Sequence, residues 1–565
     1  KGKRVEALAR KATRDRGSLE TVPGTFGDPI KATQTLPGIA RTAYNTGYLI
    51  IRGADPNQSS VYLDGINIPI LYHFLGGPSV MNPNFIKGID YYPGNFPVKY
   101  GFSVGGIVDV SSASSKVEEL GGEIDINLVN ISAYVETNIT DDLDFRFAVR
   151  RSWIDAVLAL AMRAMEESAA IAPVYYDYQT KLSWRPSPKH RLSIFGFGSD
   201  DGLVLATSSD GGGDGGLDLT AGTAFHRLAL KWLYADESSR FLISPFVGWD
   251  MMGFEASEVF LDADAIVYGT RAEASWLPSK DFRLTMGTES GIYVIDFNGE
   301  IPMPINYYVP GSTRLPSGGR GQSSEETFPF TRELEYYVSN FYIESSLRLW
   351  RRLELLPGVR YNGLWFGESD MHSFDPRMVV RLQLSKNLTL KSGAGMSSRA
   401  PDPFMMDEEY GNPDMVAEKA AQYSLGVEWD PEGPFSLNSQ VFYVRRWDEG
   451  VISTDVEQGE EGVQQEYYDN SGISRSVGAE TMLKIRPEGA LSGWLSYTIS
   501  QTETNKYSDG EMNISPYDQT HILSLVASYK FSPTWQLSMG YRFVSGDPTT
   551  PVTGSSFMAN DNSYL

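Results

Sequence analysis

Strict alternation of apolar and polar residues, in segments joined by turns of very uneven length, limits most what this chain can fold into. Leu143, Phe145, Phe147 and Val149 alternate with Asp144, Arg146, Ala148 and Arg150. Val174, Tyr176, Tyr178, Thr180, Leu182 and Trp184 alternate with Tyr175, Asp177, Gln179, Lys181, Ser183 and Arg185. Trp535, Leu537, Met539, Tyr541 and Phe543 repeat the pattern near the end. Each segment has one apolar and one wet face over about ten residues. A soluble sandwich or propeller alternates too, so the connections decide. Brief turns recur at Asp141-Asp142, Pro186–Lys189, Asp236–Ser239, Pro278–Asp281, Arg351-Arg352, Ser385–Asn387, Asp430–Pro434, Arg486–Ala490 and Ser532–Thr534. Between them lie mostly longer polar or Gly-rich connections, such as 199–223, 296–333, 397–419, 449–466 and 501–516. Short turns at one end and long loops at the other are the signature of a transmembrane antiparallel β-barrel. Trp184, Trp276, Trp429 and Trp535 each lie close to a short turn, in phase with the apolar face, as an aromatic girdle requires.

Composition removes other classes. No apolar run exceeds eight residues (169–176, counting Pro173), far short of the about 20 that a spanning helix needs. Asp+Glu at 71 against Lys+Arg at 48 leaves −23, the wrong sign for a nucleic-acid partner. With Cys 0 and His 5 there is no thiolate metal site and little room for a multi-His centre. No nucleophile elbow, phosphate loop or zinc motif is present, and scattered carboxylates do not make a glycosidase. No catalytic residue, metal site or cofactor is expected.

The charge divides the chain. Residues 1–117 hold 13 Lys+Arg and 8 Asp+Glu (13 − 8 = +5), and residues 118–565 hold 35 and 63 (35 − 63 = −28). We read residues 1–21 as a basic lead-in, 22–117 as a small mixed α/β unit and 118–565 as the barrel. The α/β unit has a short helix after Pro29 and strands near 48–52, 60–63, 88–92 and 106–110, separated by Asp55-Pro56-Asn57, Asp64-Gly65 and Pro93-Gly94-Asn95. Nine short turns join eighteen strands, and a segment at 121–129 makes nineteen. Barrels filled by a plug have about 22. Three closing strands are therefore expected beyond Leu565.

The small unit carries a resemblance. Pro23-Gly24-Thr25-Phe26-Gly27-Asp28-Pro29 with Leu36-Pro37-Gly38-Ile39 resembles the opening helix and "LPGV" turn of TonB-dependent outer-membrane receptors. Ile50-Ile51-Arg52-Gly53 is similar to that family's "IRG" strand, and Val61-Tyr62-Leu63-Asp64-Gly65-Ile66 to its apolar-flanked "LDG". Ile86 to Gly94 and Tyr100-Gly101 through Gly105-Gly106-Ile107-Val108-Asp109-Val110 complete five blocks in the family's order. Pro93 to Pro97 departs from the commoner Gly-Pro turn, and no TonB box stands in residues 1–20.

The resemblance implies a barrel of about 22 strands in a Gram-negative outer membrane, with residues 22–117 as a plug inside the lumen. It implies gated uptake of a scarce small substrate, driven by a TonB-type periplasmic energy transducer, with lipid and lipopolysaccharide around the wall. Siderophore, cobalamin, glycan and peptide receptors share these motifs. A scaffold for other envelope proteins and a passive porin are the alternatives. By the resemblance, Arg52 sits at the plug–barrel boundary and pairs with an inward barrel carboxylate, for which Glu480 is the candidate; the other reading is that Arg52 satisfies only backbone carbonyls inside the plug. Tyr72, His73 and Phe74, in an apolar apical loop, are the expected substrate contacts, with packing against the wall as the other reading. The acidic loop 450–470 reads as a solvated loop or a cation funnel, 210–218 as a flexible loop, and Ile154–Ala169 as a surface helix.

Overall fold

A computed structural model describes residues 22–41, 49–157, 169–207, 218–256, 259–302, 327–367, 369–408, 411–453, 456–459, 462–465, 468–505, 511–546, 548, 557–558 and 563–564. The lead-in 1–21, the loop 210–217 and residues 454–455, 460–461 and 466–467 of the acidic stretch 450–470 lie outside them. So does most of the expected helix at 154–169, of which 154–157 are helical.

The amino-terminal unit starts where Asp28 caps a single helical turn, α1 (Pro29–Ala32). Its Oδ1 accepts from the Ile30 and Lys31 amides at 2.9 and 3.1 Å, and Pro29 occupies the first position, where no N–H is needed. Strands β1 (Ile39–Arg41) and β2 (Leu49–Ile51) form a two-stranded antiparallel sheet. A second sheet comprises β3 (Ser60–Leu63), β4 (Ile66–Ile68), β5 (Ile86–Tyr92) and β6 (Ile107–Ser112), in the order β4-β3-β6-β5. The β3–β4 turn is Asp64-Gly65, both at positive φ (52° and 90°), the geometry of a two-residue hairpin that twists with its strands. Strand β3 runs parallel to β6, so the chain between them must cross over, and that crossover carries the apical loop.

From Gly121 the chain builds the wall. Among the described residues, twenty strands make the barrel, one of them the two-residue Asn513–Ile514, and all their paired registers are antiparallel. Each of the nine short turns read from the sequence separates two consecutive strands. The first strand (Gly121–Ile126) and the last (Gln536–Val544) are neighbours in the ring, and both are exposed along most of their length.

Several strands far exceed the ten residues expected, reaching 23 in Thr327–Leu349. About ten residues cross a hydrocarbon layer. The surplus lies away from the short turns and carries the wall beyond the apolar band. The alternation has the expected phase: Asp144, Arg146 and Arg150 are buried inward, and Phe147 and Val149 are exposed on the outer face. Trp184, Trp276, Trp429 and Trp535 are exposed at the turn end.

The small unit sits inside this wall. Its core residues Ile30, Ile39, Phe85 and Val108 share one buried apolar cluster with Phe195, Phe197, Phe225 and Trp494 of the inner wall. Plug and barrel therefore bury a common core.

Candidate functional site

Arg52 follows β2 in the left-handed region (φ 52°), which turns its side chain out of the plug toward the wall. Its Nε and Nη2 donate to Glu480 Oε1 and Oε2 at 3.0 and 3.1 Å, a bidentate fork. Glu480 comes from strand Tyr468–Ile485, and Gln440 of the neighbouring strand donates to its Oε2 at 2.6 Å. The guanidinium lies over the Phe442 ring at 4.1 Å, and both charged groups are buried. Two glycines permit this approach. A Cβ at Gly38 (φ 82°) would lie 2.2 Å from Glu480 Oε1, and one at Gly53 (φ 68°) 2.0 Å from Thr502 Oγ1. The Gly38 amide donates to Thr498 Oγ1 at 2.8 Å.

The apical loop makes a second polar contact with the wall. His73 is fully buried between two barrel carboxylates, its Nδ1 2.9 Å from Asp201 Oδ1 and its Nε2 3.1 Å from Asp177 Oδ2. Arg150 Nε donates to the same Asp177 oxygen at 2.6 Å, and its Nη2 to the Ser79 carbonyl. The imidazole stacks on Tyr175 at 4.0 Å. Burial works against the imidazolium, but Asp201, with hydrogen bonds to both carboxylates, outweighs it and holds the His73 pKa above its ordinary value. Tyr72 is buried as well, its hydroxyl donating to the Ile30 carbonyl at 3.0 Å. Phe74 is half-buried, and its amide donates to Asp201 at 3.3 Å. Of the three expected substrate contacts, Tyr72 and His73 thus turn their rings into the plug and its seam. The loop face that lines open space is Asn67 to Leu71.

The sequence reading missed how widely the wall holds the plug by its backbone. Arg377 Nη1 donates to the carbonyls of Phe96, Pro97 and Tyr100 at 3.3, 3.2 and 3.0 Å. Arg360 reaches Val98 and Lys99, Arg446 reaches Val104, and Arg146 and Arg185 reach Ser115. Arg542 donates to Gln34 and Ile39. The signal was an Arg in the inward phase of an alternating strand, a costly position unless something inside accepts its hydrogen bonds.

Above the plug sheet, on the side away from the short turns, a cavity of about 650 Å³ opens between plug and wall. Its floor comes from plug segments around Asn57, Asn67 and Phe102, and its wall from barrel residues including Phe246, Met252, Tyr293 and Tyr336. Segment 399–406 closes one side. The volume falls in the range of small-molecule sites.

Residues 137–564 match the family model described as TonB dependent receptor-like, beta-barrel, and residues 18–107 match the TonB-dependent Receptor Plug Domain. Among solved structures, the chain is similar to the siderophore receptor PirA from Acinetobacter baumannii, with 14% identity, a TM-score of 0.71, and 95% of this chain and 86% of that one covered. It is similar to the ferric enterobactin receptor PfeA from Pseudomonas aeruginosa in complex with enterobactin, with 16% identity, a TM-score of 0.72, and 99% and 90% covered. The outer membrane transporter YddB from Escherichia coli gives 11% identity, a TM-score of 0.70, and 99% and 90% covered. At these identities the likeness shows the fold. No curated protein matches the sequence.

Proposed function

Because the chain belongs to the TonB-dependent receptor family, we propose that it is an outer-membrane transporter that captures a scarce small solute above its plug and admits it when a TonB-type transducer pulls on the plug. The supporting observation is the seat: a plug that shares its core with the inner wall and is pinned by a buried Arg52–Glu480 pair suits a closed, gated barrel rather than an open channel. The exposed outer face of aromatic and aliphatic residues, ending in Trp at the turn end, supports insertion in a bilayer. The structural neighbours include siderophore and ferric enterobactin receptors and a copper transporter.

Planar-bilayer recording tests the reading. The intact protein should conduct almost no ions, and deletion of residues 22–117 should open a large pore, because an emptied barrel of this width is polar and water-filled. Large conductance from the intact protein would mean a porin. A silent protein that takes up no solute in energised cells would mean an anchored scaffold.

A further inference from the structure

The charges around the cavity are already spent on one another. Asp250 takes a bidentate pair from Arg227 at 2.6 and 3.0 Å, and Glu289 is held by Arg360 at 2.9 Å. Asp402 pairs with Arg399, which also lies 3.6 Å from Glu418. Among the described residues that line the space, Arg399 is the sole Lys or Arg. Among the described lining residues, a polyanion that enters and loses water finds no unspent cation, and a cation finds no unspent carboxylate. Residues 118–565 also carry −28 by sequence (35 − 63), so the long-range field repels polyanions before they arrive.

What the cavity does offer is neutral. Tyr293 and Tyr336 stack at 4.6 Å with an interplanar angle of 5°, forming a flat aromatic platform on the wall. Neither hydroxyl bonds to a described residue, and neither is sealed from solvent. The Asn57 and Asn67 amides on the floor are likewise exposed and without a described side-chain partner. Met252, about half exposed, supplies a soft apolar edge. Aromatic platforms flanked by uncharged donors and acceptors suit a solute that is apolar on its faces and hydroxylated or amidic on its rim.

We propose that this cavity selects an uncharged organic solute with a flat face and neutral hydrogen-bonding groups, and discriminates against anionic chelates. The proposal rests on the receptor reading above and names its substrate class.

Three fluorescent probes of nearly equal size test it: 4-methylumbelliferyl β-glucoside (neutral), the glucuronide (anionic) and the glucosaminide (cationic). The full chain, in lipid nanodiscs free of sugar detergent, is equilibrated with each by dialysis against empty nanodiscs. The glucoside should bind at least tenfold more tightly than either charged probe. Tyr336→Ala should weaken the glucoside about tenfold, and Met252→Lys, at an exposed position that leaves the fold intact, should bring the glucuronide level with it. Equal or tighter binding of a charged probe, or binding of none of the three, overturns the substrate class. So does a Met252→Lys protein whose preference is unchanged. The conductance recording uses none of these probes, so a silent, plugged protein that prefers the glucuronide would refute the class while leaving the receptor standing.

Discussion

Arg52 and His73 both tie the plug to the wall, and they differ in how each tie can be broken. Arg52 is always charged, so only losing its partner matters. Glu480→Gln or Arg52→Met should lower the free energy of plug release by about 3–5 kcal/mol, the usual penalty for a buried charge without its counterpart. The double variant should lose less than the sum of the two, which is the sign of a coupled pair. Urea midpoints for plug release would measure it, and strict additivity would show the contact to be incidental. His73 can also be broken by pH. Its folded pKa is raised above the ordinary value near 6.5, so its stabilisation is complete below about pH 6.5 and is lost as pH rises through the folded pKa. Asp177, Asp201, Arg150 and Tyr175 face it from the wall, and Asp28 lies on the plug side, bonded to the Ser79 amide at 2.6 Å. The plug should therefore be harder to release with urea at pH 6 than at pH 9, and His73→Gln should flatten that difference. A wild type with equal midpoints at both pH values would refute it. Arg52 was legible in the sequence because a motif named it. His73 was visible as a residue of an apolar loop, but its partners lie 104 and 128 residues away on two strands, beyond the reach of any local pattern.

At the scale of the strand, phase was legible and length was not. Period 2 assigns every residue to a face, and Asp177, Gln179, Lys181 and Ser183 all turn inward as their alternation requires. Length escaped because the surplus beyond the hydrocarbon has no apolar demand on its outer face, so the alternation fades while the ladder continues. The strand His190–Thr207 pairs with Asp218–Ala235 through seventeen consecutive partners, from His190 to Ala206, into the stretch 199–223 read as a long connection. Phase predicts a mutational asymmetry. Phe147→Arg puts a cation on the outer face near mid-height and should cost about 2–4 kcal/mol of barrel stability in lipid. Gln536→Arg, at the turn end of its strand, should cost close to nothing. Equal losses at the two sites in lipid-refolding titrations would mean that the outer face is not the membrane face.

The whole molecule is two shapes sharing one core, and its proposed gating follows from how they are joined. The boundary between plug and wall has apolar packing, ionic contacts at Arg52, His73 and Asp64, and a ring of arginines, so a closed resting state is the expected outcome of the bilayer recording. The fold class was readable because one unit carried ordered motifs and the other a periodic wall. The cavity was not, since its residues come from plug loops and several separate strands. The arginine ring has one more consequence. Arg360, Arg377 and Arg446 grip main-chain oxygens, and a carbonyl is the same whatever side chain accompanies it. Over generations the stretch 96–104 is therefore free to drift wherever its side chains do not themselves pack, provided the path of its backbone is kept. The arginines opposite have no such latitude. Inheritance of the fit is lodged in the wall, and a foreign stopper with the same backbone trace would find the same hands waiting for it.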